Sequence, residues 1–447
     1  VRDLILFLAF VGIIPFIFKR PVVGAIAYAM VSLMNPHRLT YGFAQNFPFA
    51  LYLGMATLLA ILISREQKKI PMSPPVLVLM LFFTWYTIAS VFAQVPSEAW
   101  SDWDRYAKTM LMVFIAIMTI RTAKDVKVLA LVVALSLGFW GIKSGVFVIV
   151  SGGGEGLRGP MNSFISDNNT LALAMVTITP LLFYVSTRAR SKWVKRAALG
   201  MAGLTMLAAI GSYSRGALLG TFAMGFFLWL KSTSKVKTGL AFALIVPIVL
   251  TLMPPEWTGR MHTIQTYDED ASATGRINSW HFAANVANEF VMGGGPGVFT
   301  PHMFMLYAPN PERYYDAHSI YFQVLGEQGY IGLAIFVLVF VVAWRTGGRV
   351  IRHCRDKEEL VWALMLARMC QVSMIGYLAA GAFLTLAYYD LIYYVIAILV
   401  CLDKVLIRAP QKDDTPPMQL PFLERYLARR KAKKAARAQL ALSRRRT

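Results

Sequence analysis

The chain has 447 residues, 57% of them hydrophobic and 15% charged, with a mean hydropathy of +0.53. Its apolar runs reach the roughly 20 residues that a bilayer-crossing helix needs, so the fold class is an all-α polytopic integral membrane protein and core-burial reasoning for soluble domains does not apply. The net charge of +21 would suggest nucleic acid in a soluble protein; here it sits in loops and a tail that suit anionic membrane lipids, which argues against a nucleic-acid partner.

Residues 4–34 are apolar but divided by Lys19-Arg20-Pro21 into two pieces, each short for a full crossing: a tight hairpin or one broken crossing. No small-residue cleavage site follows, which points to a retained membrane segment. Further spans are predicted near residues 48–63, 75–93, 107–120, 126–150, 171–186, 197–212, 217–230, 238–253, 319–344, 360–384 and 391–406, about twelve transmembrane helices in all. Basic clusters follow every second span: Arg65/Lys68/Lys69, Arg121/Lys124/Lys127, Arg188 to Arg196, Lys231/Lys235/Lys237 and Arg345 to Lys357. Cytoplasmic loops collect Lys and Arg, so these loops and the basic tail face inward.

Four parts follow from this pattern: N-terminal membrane helices over 1–253, one long outer loop over 254–317, C-terminal membrane helices over 318–406 and a basic cytoplasmic tail over 407–447. The centre of the long loop, residues 272–290, reads as a helix with Ser272 or Thr274 as its N-cap, and it ends at Gly293-Gly-Gly-Pro-Gly297, which cannot continue a helix. A loop this long is uncommon without a role, so it is expected to form a lid or wall over a site. Cys354, Cys370 and Cys401 fall in a basic loop and in apolar segments, giving no disulfide framework.

The outward loops hold isolated arginines that run against the charge bias: Arg158, Arg215, Arg276 and Arg313, the last close to His318. They suggest a site for an anionic substrate at the outer face. Lys143 lies in the outer half of an apolar span, where a buried cation is costly, and it joins the substrate-binding candidates unless it snorkels. Asp167 and Asn168 form a turn entering the next helix and are also substrate-contact candidates. Asp268-Glu269-Asp270 is the one dense acidic run and reads as a solvated loop; His262, His281 and His302 read as surface residues. No metal site and no cofactor are expected.

Ala317-His-Ser-Ile-Tyr-Phe-Gln-Val-Leu-Gly-Glu-Gln-Gly-Tyr-Ile-Gly-Leu333 resembles the signature of the O-antigen ligases and O-antigen polymerases. Arg276-x-x-x-Trp280 followed by Gly293–Phe299, Arg158-Gly with Asp167-Asn168-Asn169, and Ser214-Arg215-Gly216 are similar to further motifs of that family, in the same order. Many members have His-Asn where this chain has His318-Ser319. The opening, Asn35-Pro-His-Arg-Leu-Thr40, resembles a subgroup described as exosortase-associated O-glycosylation ligases.

The resemblance implies a glycosyltransferase of GT-C-like architecture, working on a lipid-linked glycan at the periplasmic face of the bacterial inner membrane. Its donor would be a glycan on undecaprenyl diphosphate and its acceptor a sugar hydroxyl of lipid A–core, joined without a metal and with inversion. Arginine forks hold diphosphate bidentately and stay charged, which casts Arg215 and Arg276 as catalytic, with Arg158 and Arg313 assisting. His318 would accept or orient the acceptor proton, and Trp280 would line the substrate site. An O-antigen polymerase or a protein O-glycosylation ligase needs the same residues. A polyprenyl-glycan flippase would instead place charges near mid-membrane, whereas these gather at one face.

Overall fold

The computed structural model describes residues 1–64, 68–153, 156–232, 234–251 and 271–408, together with residues 253, 255, 257 and 259. Arg65, Gly154, His262, the acidic run at Asp268-Glu269-Asp270 and the tail from residue 409 lie outside the described residues. Every regular element among the described residues is helical. In chain order they are α1 (Arg2–Lys19), α2 (Pro21–Met34), α3 (Phe49–Ile63), α4 (Pro74–Val91), α5 (Pro96–Thr119), α6 (Ala123–Ser151), α7 (Asn168–Arg188) and α8 (Lys192–Ile210). There follow α9 (Arg215–Lys231), α10 (Lys235–Thr251), α11 (Ala271–Glu289), α12 (Pro301–Tyr307), α13 (Ile320–Cys354), α14 (Val361–Gly381) and α15 (Asp390–Asp403).

Local chemistry accounts for many boundaries. Proline occupies the first turn of α2, α4, α5 and α12, where its missing N–H costs nothing. Thr122 and Asp125 form a reciprocal capping box on α6, which closes at Gly152 in the left-handed region. Six described helices are long and apolar enough to cross a membrane, and α2, α3 and most of α9 are shorter apolar helices. Large apolar side chains exposed on their outer surfaces, such as Leu62, Ile149 and Phe222, are what a lipid-facing surface shows. This is a multi-pass membrane protein.

Contacts around Asp3 and Arg20 settle the two alternatives for residues 4–34 in favour of the hairpin. The Asp3 carboxylate accepts hydrogen bonds from the Gly42 and Ala44 amides, both 3.0 Å, so α1 begins beside the loop that follows α2. At the turn between the two helices, Arg20 pairs with Asp125 at 3.2 Å. The same face carries Asp403, 1% exposed, between Arg349 at 2.9 Å and Arg408 at 2.6 Å. There the Lys404 ammonium donates to the Ile117, Met118 and Ile120 carbonyls, closing the C-terminal end of α5.

Two helices outrun their predicted spans. α5 begins at Pro96 instead of near 107, because Glu98, Asp102, Asp104, Arg105 and Lys108 make its first turns amphipathic and hide them from a hydropathy reading. α13 continues to Cys354 instead of ending near 344, with Thr346, Gly347, Val350 and Cys354 buried on one side. Thr274, a predicted N-cap, lies inside α11, where its hydroxyl accepts from Arg313 at 3.0 Å.

The long α13 is broken at Gly329, whose φ of 65° and ψ of −172° leave the helical region. The break frees carbonyls that the glycine loop after α11 takes up: Gly294 N–H donates to Gly326 O at 2.8 Å and Gly295 N–H to Glu327 O at 3.0 Å. Trp85 of α4 donates its indole N–H to Gln328 O at 2.9 Å. A Cβ on Gly293, where φ is 71°, would lie 2.5 Å from the Gln328 and Gly329 amide nitrogens, so the approach demands glycine. This seam fixes the far end of α11 against the membrane helices.

Candidate functional site

The site begins where two helices start side by side. Asp167 caps α7, accepting from the Asn169 amide at 2.9 Å and the Thr170 amide at 3.1 Å. Asn168 donates its side-chain N–H to Ser212 O at 2.9 Å, tying this start to the turn before α9. In that turn Tyr213 has φ 61° and Ser214 caps α9, so Arg215 is the first residue of its helix. Next to Arg215, Gly216 packs against Ala380 O and the side chains of Phe383 and Leu384.

Phe383 leads to the second half of the site. The Trp280 ring lies 6.0 Å from Phe383 and is stacked on Phe322 at 4.9 Å with an interplanar angle of 7°. Its indole N–H donates to Ala317 O at 2.9 Å, immediately before His318. Arg276, one turn earlier on α11, faces the same side of that helix as Trp280.

His318 is partly buried and has φ 43°, the left-handed region that a histidine seldom occupies. Burial holds its imidazole below the ordinary histidine range, and the Arg276 guanidinium acts in the same direction; Asp316 and Asp167 oppose them. One imidazole therefore feels α11, the α7 cap and its own strap at once. Beside Asp167 and Asn168 opens a cleft of about 530 Å³, lined also by Arg158, Gly159, Met161, Asn162 and Ser166.

Of the residues expected from the sequence, Arg158, Asp167 and Asn168 line this cleft, and Arg276 and Asp167 bear on His318. Arg313 is exposed and spends a guanidinium N–H on Thr274. Lys143 is exposed and lies 4.6 Å over the Trp140 ring, outside the cleft lining; it snorkels. Among the described residues the arginine-poor face also holds three arginines that the sequence pattern did not single out, the first being Arg2, which donates to Leu39 O at 3.5 Å. Arg38 sits in the turn after α2, and Arg105 of α5 lies 5.0 Å from the Phe164 ring in the segment that forms the cleft. The charged periodicity of residues 98–108 was the available signal. Glu327, buried at the α13 break beside the glycine seam, likewise had only its place in the motif to mark it. Among the described residues no group of three or more His, Cys, Asp and Glu is arranged to hold a metal.

Residues 199–337 match the O-antigen ligase family, and residues 1–190 match a family of unknown function, DUF5935. Arg215, Arg276 and His318 fall in the first stretch, while Arg158, Asp167 and Asn168 fall in the second. No curated protein matches the chain. Over residues 199–337 the chain is thus similar to the O-antigen ligases, which supports a ligase- or polymerase-type glycosyltransferase working with a lipid-linked glycan donor and a glycan acceptor.

Proposed function

We propose that the protein is an O-antigen ligase of the bacterial inner membrane. It transfers a preassembled glycan from undecaprenyl diphosphate to a sugar hydroxyl of lipid A–core at the periplasmic face. Arg215 and Arg276 hold the diphosphate by bidentate, charge-assisted hydrogen bonds and stabilise the charge that grows on it as the glycosidic bond breaks. His318 takes the proton of the attacking hydroxyl, whose oxygen bonds to the anomeric carbon from the face opposite the leaving diphosphate and so inverts the configuration. Arg158, Asp167 and Asn168 line the glycan's path. The two arginines supply the positive charge that a divalent cation provides in other transferases, which makes the reaction metal-independent.

The observation that supports this reading is that α11 carries Arg276 four residues before Trp280, whose indole N–H donates to the Ala317 carbonyl next to His318 at 2.9 Å, and that Arg276 and Asp167 both act electrostatically on the His318 imidazole. A hydroxyl between that imidazole and the cation has a base on one side and a leaving-group clamp on the other.

Transfer of a radiolabelled lipid-linked glycan to lipid A–core by the purified protein tests the proposal. Arg215→Lys and Arg276→Lys are each expected to lose about 2–4 kcal/mol of transition-state stabilisation, because a point charge lacks the fork. Wild-type rates in both variants, or a requirement for added divalent cation, would overturn it.

A further inference from the structure

We infer that Trp280 is a positioning residue: its indole N–H, bonded to the Ala317 carbonyl, holds His318 in its left-handed backbone conformation at the start of α13. The inference rests on the role proposed for His318. A histidine in the left-handed region persists only where its surroundings over-determine it. Here the determinants come from three consecutive residues of α11, which together grip the strap leading into His318. Asn278 donates to Asn310 O at 2.9 Å and Arg313 O at 3.0 Å and accepts from the Asn310 amide at 2.9 Å. Ser279 donates to Tyr315 O at 3.0 Å, and Trp280 takes the last carbonyl before the histidine.

Beyond the histidine the backbone is held as well, since the Gln323 amide donates to Ser319 O at 2.8 Å. Phe322, one turn into α13, covers a face of the Trp280 ring and fixes the direction of its N–H. The Trp280 ring is otherwise partly exposed, so this anchoring role is compatible with the substrate-lining role that the resemblance implied. Arg276 stands four residues before Trp280 on the same helix face, so one rigid element carries the cation and the anchor of the base.

The charged groups facing His318 are Arg276 on α11, Asp316 on the strap and Asp167 at the start of α7. If the Ala317 anchor is released, the imidazole gains water and moves away from Arg276. Both changes raise its pKa.

The test uses the full-length protein in lipid nanodiscs with ring-labelled histidine, the His318 resonance being assigned by its loss in His318→Gln. Trp280→Phe keeps a ring on Phe322 but cannot donate to Ala317. Its His318 midpoint is expected to rise toward the ordinary histidine value while binding of undecaprenyl diphosphate is retained, and transfer is expected to fall about 10–100-fold. Ser279→Ala, which loosens the strap two residues further back, is expected to shift the midpoint the same way by less. An unchanged midpoint in both variants overturns the inference, and Ser279→Ala decides alone if Trp280→Phe does not fold. Shifted midpoints together with wild-type transfer by His318→Gln would instead uphold the positioning and refute the base.

Discussion

At the scale of single residues, the proposed chemistry depends on keeping His318 neutral. Burial and the Arg276 cation both disfavour the imidazolium, so the base stays unprotonated to a lower pH than an ordinary histidine would. Transfer is expected to fall on the acid side as His318 takes up its proton. Arg276→Gln, besides slowing the reaction, is expected to move that limb to higher pH, because removing the cation raises the imidazole's pKa. Rates measured from about pH 5 to pH 8 check this; an acid limb that stays in place would separate Arg276 from the base. His318→Gln is expected to lose about 10²–10⁴-fold in rate while still binding undecaprenyl diphosphate. Arg215 and Arg276 stand out in the sequence as arginines in a lysine- and arginine-poor set of loops, and His318 by its place in the motif that opens the following helix. Arg105 does not, since it lies inside an amphipathic helix whose charges blend into a solvated face. The use of Trp280 was hidden too, as its acceptor is a backbone carbonyl 37 residues away.

At the scale of elements, the seam between the glycine loop and the broken α13 makes opposite predictions for chemically identical substitutions. Gly293→Ala places a methyl 2.5 Å from two backbone nitrogens, and Gly329→Ala places one 2.4 Å from Val291 O at φ 65°. Each is expected to cost about 2 kcal/mol or more. A methyl on Gly200 of α8 would meet nothing within 4 Å, and Gly200→Ala is expected to stabilise by about 0.5–1 kcal/mol through helix propensity. Thermal unfolding in detergent, followed by a thiol-reactive dye on the buried Cys354, Cys370 and Cys401, reads all three. Equal melting temperatures for the two classes would show that the seam is not close-packed. Hydropathy located the spanning helices because lipid demands continuous apolar runs. It missed the break at Gly329, since Glu327, Gln328 and Gly329 interrupt the run for too few residues to register, and the partners of the freed carbonyls come from distant segments.

At the scale of the whole molecule, α1 starts beside the loop after α2, and Arg408 lies with Arg20 and Asp125 on the opposite, basic face. A path that runs from one face to the other crosses an odd number of times; were α1 to α10 and α13 to α15 all to span, the described residues would hold thirteen crossings, six of them by helices long and apolar enough to cross. Cysteine placed at Thr274 is therefore expected to react with a membrane-impermeant maleimide in intact spheroplasts, and cysteine at Ser234 to be protected. The reverse pattern would put the site on the cytoplasmic side and remove the donor from reach. The alternation of basic loops is what predicts the sidedness. The parity was not legible, because it depends on the Asp3 and Arg20 contacts that fold residues 4–34 into a hairpin.

Because α11 is held by main-chain bonds at residues 294 and 295 at one end and through Asn278, Ser279 and Trp280 at the other, it is a strut fixed at both ends. From Arg276 to the end of the helix is about 20 Å at 1.5 Å per residue, so a swing of about 3° carries the guanidinium through about 1 Å. Asn278, Ser279 and Trp280 tie the Arg276 end of the helix to the strap leading into α13. Held at both ends, the helix keeps Arg276 within that distance of its place, which is the precision the proposed diphosphate clamp would need.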